Sequence, residues 1–198
     1  AFGHTMPYSG KVWLILYNKS LLAEIGAQDP YRLYQNGNWN WQTFTKIARK
    51  VTADTNGDGQ IDRWGLTIHH NGLLSTILGE ANGAEVTVEA ENGSRLFTFD
   101  NKAALQAINQ VNQWVNEDKI MAPQNLKNPL INRKLAMEVV LPINLNGNYH
   151  KTLMESRDKY LLVPIPKGPG VNEYSYFSQA IDARVLPANV KNRKHYWL

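Results

Sequence analysis

The chain has 198 residues, of which 43% are hydrophobic and 19% charged, a composition typical of a globular protein. Its net charge is +4, but the lysines and arginines are scattered, so the sequence does not predict nucleic-acid binding. It contains no cysteine, which excludes disulfides, thiolate catalysis and cysteine-ligated zinc, and no apolar run reaches the roughly 18–20 residues that span a bilayer.

The first part of the chain predicts one strand followed by short helices. Residues 12–17 form a continuous apolar run rich in strand formers, which predicts a buried strand. Asn18 can cap a short helix that stops at Gly26, residues 29–38 are predicted to be a polar loop, and Asn40 can cap a second helix. The apolar residues of that helix share one face at helical spacing: Trp41, Phe44, Ile47, Ala48 and Val51.

The middle of the chain predicts a strand, a hairpin and two helices. A strand over residues 64–68 precedes an apolar helix over residues 72–81, and the turn at residues 91–94 joins two short strands. Asp100 can cap a longer helix that ends near Asp118. The predicted core face of this helix consists of Ala104, Ala107, Ile108, Val111, Trp114 and Val115.

The last part continues this alternation of strands and helices. The predicted elements are a short helix (130–134), a strand (135–141), a helix (144–156), a strand (160–164), a strand within 176–186 and a terminal helix from Asn189. Alternation of this kind is typical of α/β proteins. We therefore predict an α/β domain with a mixed, mostly parallel sheet flanked by helices. The terminal helix has no stop signal, and the chain begins without methionine or a signal peptide, so we expect a processed or truncated chain.

One acidic loop, residues 54–62, has the spacing of a calcium site. Oxygen donors alternate along it, and Gly59 permits a sharp turn. The candidate ligands are Asp54, Asn56, Asp58, Gln60 and Asp62. Gly65 stands where an EF-hand carries its bidentate glutamate, so the EF-hand pattern is incomplete. A metal-free turn explains the same residues, and under either interpretation the loop is structural rather than catalytic.

Four segments carry a resemblance to a known family. Met-Pro-Tyr at residues 6–8 precedes an apolar strand that ends in Tyr-Asn-Lys at residues 17–19. Trp-Gln-Thr-Phe at residues 41–44 begins an amphipathic helix, and the acidic loop leads into Trp-Gly at residues 64–65. Arg-Lys-Leu-Ala-Met at residues 133–137 enters a buried strand, with arginine where glycine is usual. In this order, the segments resemble the bacterial extracellular solute-binding proteins of ABC importers, in the family that includes maltodextrin-binding proteins.

The resemblance implies part of a two-lobed protein. A complete member has two α/β lobes joined by crossing strands. By this resemblance, residues 1–10 are a crossing or hinge segment, residues 11–166 form one periplasmic-binding-protein-like ligand-binding lobe, and residues 167–198 return toward the first lobe. We therefore expect a second-lobe fragment that carries half of a binding cleft.

The resemblance also places ligand-binding residues at the cleft. They are Tyr8, Ser9, Lys11, Trp13, His69, His70, Asn71, Asn144, Asn146 and Tyr149. Core packing is the alternative for Trp13, which lies in an apolar segment. His69 and His70 are adjacent, so on an extended segment they point to opposite sides and do not ligate one metal. Residues 73–74 are leucines where maltodextrin-type members have aromatic residues, and residues 141–144 replace a Gly-x-Trp motif, so a long maltodextrin is not the predicted ligand.

The implied function is that of an extracytoplasmic binding component of an ABC transporter. It would bind a sugar or oligosaccharide between two lobes and present the closed form to a membrane permease. The resemblance further implies a monomer that is extracellular or periplasmic and lipid-anchored in the full-length protein, with calcium as a structural brace. The sequence contains neither a Ser-His-Asp arrangement nor a phosphate-binding glycine loop, so it does not predict an enzyme. The alternatives are an accessory domain of a carbohydrate-active enzyme and a calcium-stabilised interaction module of dockerin type.

Overall fold

The computed structural model of the chain describes residues 12–68, 71–124, 126–142, 145 and 147–176. A four-stranded sheet lies at its centre, in the order β2-β5-β1-β6, and a separate hairpin is formed by β3 and β4. The strands are β1 (Leu14–Asn18), β2 (Trp64–Thr67), β3 (Thr87–Glu89), β4 (Arg95–Phe97), β5 (Leu135–Val140) and β6 (Tyr160–Pro164). The predicted α/β class, the mixed sheet and the hairpin are therefore confirmed.

Strand β1 runs against the other three strands of the central sheet. It pairs antiparallel with both β5 and β6, whereas β2 pairs parallel with β5. Two of the three strand pairings of the central sheet are antiparallel, so the prediction of a mostly parallel sheet is wrong for the described residues. The alternation of strands and helices predicts the class of fold, but it does not report that a strand from the beginning of the chain inserts between two later ones.

Six helices flank the sheet in the described residues. They are α1 (Lys19–Glu24), α2 (Pro30–Gln35), α3 (Trp41–Val51), α4 (Asn71–Ala81), α5 (Lys102–Asn112) and α6 (Gly147–Glu155), and α5 continues into a π-helical turn at Gln113–Glu117. As predicted, the side chains of Asn18 and Asn40 cap α1 and α3 by accepting bonds from the Leu21 and Thr43 amides. Among the described residues, no helix has the length and apolar character needed to cross a membrane.

The core forms two layers, one on each face of the sheet. Ile15 and Tyr17 of β1 join the larger layer, while Leu16 between them joins the smaller one, as alternation along a strand requires. Phe44 lies at the centre of the larger layer, with its ring 5.7 Å from Trp39 and 4.7 Å from Trp114. The indoles of Trp39 and Trp114 are hydrogen-bonded, because Trp39 donates to the Pro164 carbonyl at 2.7 Å and Trp114 donates to the Thr45 hydroxyl at 2.8 Å.

Several local predictions are wrong, and each has a physical reason. The predicted loop over residues 29–38 contains α2, because Asp29 caps it and Pro30 occupies its first turn, where a missing amide has no cost. The cap of α5 is Asn101 rather than Asp100, since the Asn101 side chain accepts from the Ala104 amide. Two members of the predicted core face, Ile108 and Val115, are exposed.

The predicted helix over residues 130–134 is instead a series of tight turns. Arg133 has a φ of 58°, a left-handed conformation that interrupts a right-handed helix. The segment is closed by backbone bonds from the Lys134 amide to the Pro129 carbonyl and from the Arg133 amide to the Leu130 carbonyl. The predicted strand within 176–186 and the terminal helix lie outside the described residues, apart from Tyr176.

Candidate ligand-binding site

Three chain segments meet at one edge of the central sheet. Because β1 runs against β2 and β5, its first residue lies beside their last residues: Leu14 pairs with Val140, and Thr67 pairs with Glu138. Trp13, Ile68 and Leu141 are the next residues at this edge. In α/β proteins, ligands commonly bind where the carboxyl ends of parallel strands meet. The sheet topology therefore brings together the segments from which the sequence predicted ligand-binding residues.

A pocket of about 710 Å³ lies at this edge. Its walls come from the sheet, from the start of α4, from the loop before β5 and from α6. The lining residues are Trp13, Ile68, Leu73, Leu126, Lys127, Asn128, Pro129, Glu138, Val139, Val140, Leu141, Leu145 and Tyr149. Its volume falls within the range of small-molecule sites, as does its combination of apolar walls with few polar groups.

Trp13 takes part in both the core and the pocket. Only 8% of its surface is exposed, and it belongs to the larger core layer. The same side chain lines the pocket. The two alternatives for Trp13, core packing and cleft lining, are therefore compatible.

A carboxylate and a phenol form the polar centre of the pocket. The Tyr149 hydroxyl of α6 donates to Oε2 of Glu138 in β5 at 2.7 Å. Burial is the main reason why the pKa of Tyr149 is raised well above its ordinary value, and the neighbouring Glu138 charge adds to it. The sequence predicted Tyr149 and missed Glu138. The available signal was an acidic residue inside the apolar run Leu-Ala-Met-Glu-Val-Val-Leu, since a carboxylate in a buried strand needs a polar partner.

The remaining predicted ligand-binding residues are not placed by the structure. Asn71 is the first residue of α4, and nothing is described of its side chain. The others lie outside the described residues: Tyr8, Ser9, Lys11, His69, His70, Asn144 and Asn146. Their assignment therefore stays a prediction.

The acidic loop lies at the other end of β2 from the pocket. It connects α3 to the first residue of β2, whereas the pocket begins after the last residue. Asp54 accepts bonds from the Gly57 and Gly59 amides, each at 2.7 Å, and Asp62 accepts from the Thr55 amide at 2.9 Å. These bonds hold the pKa of both carboxyls below its usual range, with the Gly59 amide the largest cause for Asp54 and the Thr55 side chain for Asp62.

The same loop is closed by its own hydrogen bonds. Asn56 accepts from the Asp58 amide at 2.9 Å, and Asp58 accepts from the Gln60 amide at 2.8 Å. Within the described residues, no three acidic or histidine side chains converge as a ligand set for a metal. The oxygens that a cation would need are thus bonded to the loop backbone, which matches the metal-free interpretation of this segment without testing whether calcium binds.

Acid–base catalysis of glycoside cleavage would require a second carboxylate at the pocket. Glycosidases use two, about 5–9.5 Å apart. Of the described residues that line the pocket, Glu138 is the only acidic one. The described lining therefore offers one carboxylate, not the pair that glycosidases use.

A family model of known function matches nearly the whole chain. The model described as bacterial extracellular solute-binding protein matches residues 3–194. No curated protein matches the chain.

Solved structures share the fold of the chain. The maltose/maltodextrin-binding domain MalE from Bdellovibrio bacteriovorus, bound to maltotriose, is 22% identical with a TM-score of 0.62, and the alignment covers 94% of this chain and 45% of that one. UspC of M. tuberculosis is 20% identical with a TM-score of 0.60, covering 83% and 44%. An ABC transporter solute-binding protein from Thermotoga lettingae, bound with α-D-tagatose, is 16% identical with a TM-score of 0.60, covering 84% and 40%. The chain thus spans less than half the length of each of these structures.

Proposed function

Since this chain belongs to the bacterial extracellular solute-binding protein family, we propose that it is the ligand-binding lobe of a sugar-binding component of an ABC transporter. The observation that carries the proposal is the pocket at the sheet edge, where apolar walls and Trp13 surround the Glu138–Tyr149 pair. Aromatic rings pack against the apolar faces of sugar rings, and buried polar atoms bind their hydroxyls. Structurally similar proteins have been solved in complex with maltotriose, α-D-tagatose and acarbose, which supports a carbohydrate ligand.

The proposed mechanism is closure of two lobes around the ligand. This chain supplies one wall of the cleft, and the second wall comes from a further lobe of the kind that lies in the uncovered half of the similar structures. A ligand that contacts both lobes binds the closed form more tightly and therefore shifts the population toward it. The closed form then docks on a membrane permease. The proposal includes a monomeric, extracellular or periplasmic protein that is lipid-anchored in its full-length form.

Calcium in the 54–62 loop is a separate part of the proposal. Its support is the alternation of oxygen donors along the loop. A cation would have to share these donors with the backbone amides of Gly57, Gly59 and Gln60. Its role would be to brace the connection between α3 and β2.

Titration calorimetry with mono-, di- and trisaccharides, including maltotriose, tests the carbohydrate proposal. We expect saturable binding of at least one sugar, without turnover. Replacing Trp13 by leucine removes the aromatic surface and should weaken binding, whereas Trp64→Phe, at the start of β2, should leave it unchanged. Sugar cleavage during the titration would contradict a binding role and favour a carbohydrate-active enzyme.

A further inference from the structure

We propose that a groove beside α3 is a second binding site, for a small ligand that carries two carboxylate or phosphate groups. The groove has a volume of about 870 Å³ and shares no described lining residue with the pocket at the sheet edge. Its walls come from α3, from α5 and its π-helical turn, and from the loop that follows β6. The inference goes beyond the proposed sugar-binding function and does not depend on it.

The groove carries positive charge on two of its walls. Lys46 and Arg49 line it from α3, and Lys167 lines it from the loop after β6. Of the described residues that line the groove, none is acidic. A ligand with two anionic groups can therefore gain from the cations of both walls, and it should bind more tightly than a ligand with one.

Arg49 and Lys167 keep donors for a ligand in addition to their internal contacts. Arg49 donates to Asp118 from Nε and from one terminal nitrogen, which leaves the other terminal nitrogen of the guanidinium. The Lys167 ammonium donates to the Asn172 carbonyl at 2.8 Å, and an ammonium has three donors. Because Asp118 neutralises Arg49, the net charge of the groove comes from Lys167 and from the exposed Lys46.

The first turn of α3 adds a further positive potential. Asn40, Trp41 and Gln42 line the groove, and α3 begins at Trp41. The start of a helix carries partial positive charge and favours anions. The Asn40 side chain accepts from the Thr43 amide, and the Trp41 amide donates to the Lys167 carbonyl at 3.1 Å. The helix start therefore contributes its electric field more than free amides.

The indole of Trp41 is the observation that points to a ligand. Trp41 lines the groove and is only 5% exposed, and its Nε1 is buried without a hydrogen-bond partner in the described structure. A buried donor without an acceptor is unfavourable. Trp39 and Trp114 of the same core layer both donate to an acceptor. An anionic oxygen bound in the groove would supply the acceptor that Trp41 lacks.

Two pairs of anions test the site: acetate with succinate, and inorganic phosphate with pyrophosphate, all at constant ionic strength. Calorimetry should give saturable binding in at least one pair, and that pair identifies the anionic group. Its member with two anionic groups should bind at least about tenfold more tightly than its member with one. In heteronuclear NMR, the Nε1–H resonance of Trp41 should shift with the same dissociation constant, whereas that of Trp64, at the start of β2, should not.

Matched variants separate the groove from a general effect of charge. Trp41→Phe removes the indole donor but keeps an aromatic ring in the core, and it should weaken binding about threefold to tenfold. Lys46→Gln removes an exposed cation of the groove and should weaken binding by a similar factor. Lys151→Gln makes the same charge change at an exposed position of α6 and should leave binding unchanged. If Trp41→Phe does not fold, Lys46→Gln and the Trp41 resonance of the unchanged chain decide the question.

The outcomes are distinguishable from each other and from those of the sugar titration. The absence of saturable binding in both pairs would overturn the site, and so would equal weakening by Lys46→Gln and Lys151→Gln. A shift of the Trp13 indole without a shift of the Trp41 indole would place the anion in the pocket at the sheet edge, which also overturns the inference. Because the two sites share no described lining residue, failure of the anion site leaves the proposed sugar binding standing.

Discussion

Arg133 donates from Nε to Oδ2 of Asp158 at 3.1 Å, and it does so from a left-handed backbone position. The same carboxylate oxygen accepts from the Asn18 side-chain amide at 2.7 Å, and the Arg133 guanidinium also pairs with Glu24 at 2.6 Å. Asp158 thus joins the end of β1 to the segments before β5 and β6, at the edge of the sheet opposite the pocket. This network holds the Arg133 side chain at both carboxylates while its backbone keeps a left-handed conformation.

Substitution of Arg133 separates its side-chain bonds from its backbone strain. Arg133→Ala loses both ion pairs but keeps the unfavourable φ, and we expect its free energy of unfolding to fall by about 1–3 kcal/mol. Arg133→Gly loses the same pairs but relieves a strain of about 1–2 kcal/mol, partly offset by the greater freedom of the unfolded chain. In urea unfolding, Arg133→Gly should have a higher free energy of unfolding than Arg133→Ala. The reverse order would show that backbone strain at residue 133 is not significant.

Close packing explains the glycine at position 65, where an EF-hand would carry its bidentate glutamate. A Cβ at this position would lie 2.6 Å from Cβ of Ala48 and 2.7 Å from its Cα, so β2 and α3 touch at this point. We predict that Gly65→Ala lowers the free energy of unfolding by about 1–3 kcal/mol or more, because the backbone of α3 must move. An unchanged free energy of unfolding in Gly65→Ala, measured with urea, would contradict the close approach of β2 to α3 at this residue.

Glu80 in α4 makes stability depend on pH. Its Oε2 is buried without a hydrogen-bond partner in the described structure, and burial raises the pKa of Glu80 to about 7. Because the folded pKa is above the unfolded one, the neutral form is favoured in the fold. The stability that neutral Glu80 contributes is therefore fully present below about pH 4.5, the pKa of a glutamate in the unfolded chain. It is lost as the pH rises through the folded pKa of about 7.

Replacing Glu80 by glutamine removes this ionisation. We expect thermal unfolding of Glu80→Gln to occur at a higher temperature than that of the unchanged chain at about pH 8, by roughly 2–4 °C for each kcal/mol recovered. At about pH 4 the difference should vanish, since the glutamate is then neutral in both states. The exposed Glu155→Gln serves as control, and equal behaviour of the two variants across pH would contradict the role of burial.

Calcium binding by the 54–62 loop predicts a chelator-sensitive melting temperature. If the loop binds calcium only in the folded state, the temperature of unfolding should rise with the calcium concentration. Chelator should reverse this shift. Asp58→Asn should weaken this response, whereas the exposed Asp100→Asn should not. An unchanged melting temperature from chelator to millimolar calcium would establish the loop as a metal-free turn.

Local signals in the sequence predicted most elements but not how they assemble. The caps at Asn18 and Asn40 and the apolar run that forms β5 depend on neighbours in the chain, so they could be read directly. The cap and proline that start α2 were equally readable, and the prediction overlooked them. The antiparallel insertion of β1 depends on partners more than 100 residues away, which no local pattern reports.

The sequence predicted which segments line the candidate site but not which side chains contact each other there. The family resemblance placed ligand-binding residues at three segments, and the strand directions explain why Trp13 and Tyr149 line one pocket. Glu138 was missed because its position in a strand suggested packing, and its partner lies on a helix that follows the strand. The signal in the sequence is an acidic residue within an otherwise apolar strand, because a carboxylate there needs a polar partner.

The most direct test of the central claim is the location of sugar binding on the chain. A heteronuclear NMR titration with the mono- to trisaccharide panel should shift the resonances of Trp13, Leu145 and Tyr149 saturably for at least one sugar. The resonances of the 54–62 loop, beyond the far end of β2, should stay unchanged. Saturable shifts at the pocket that disappear in Trp13→Leu are the predicted result, and an unperturbed pocket with every sugar would contradict the account.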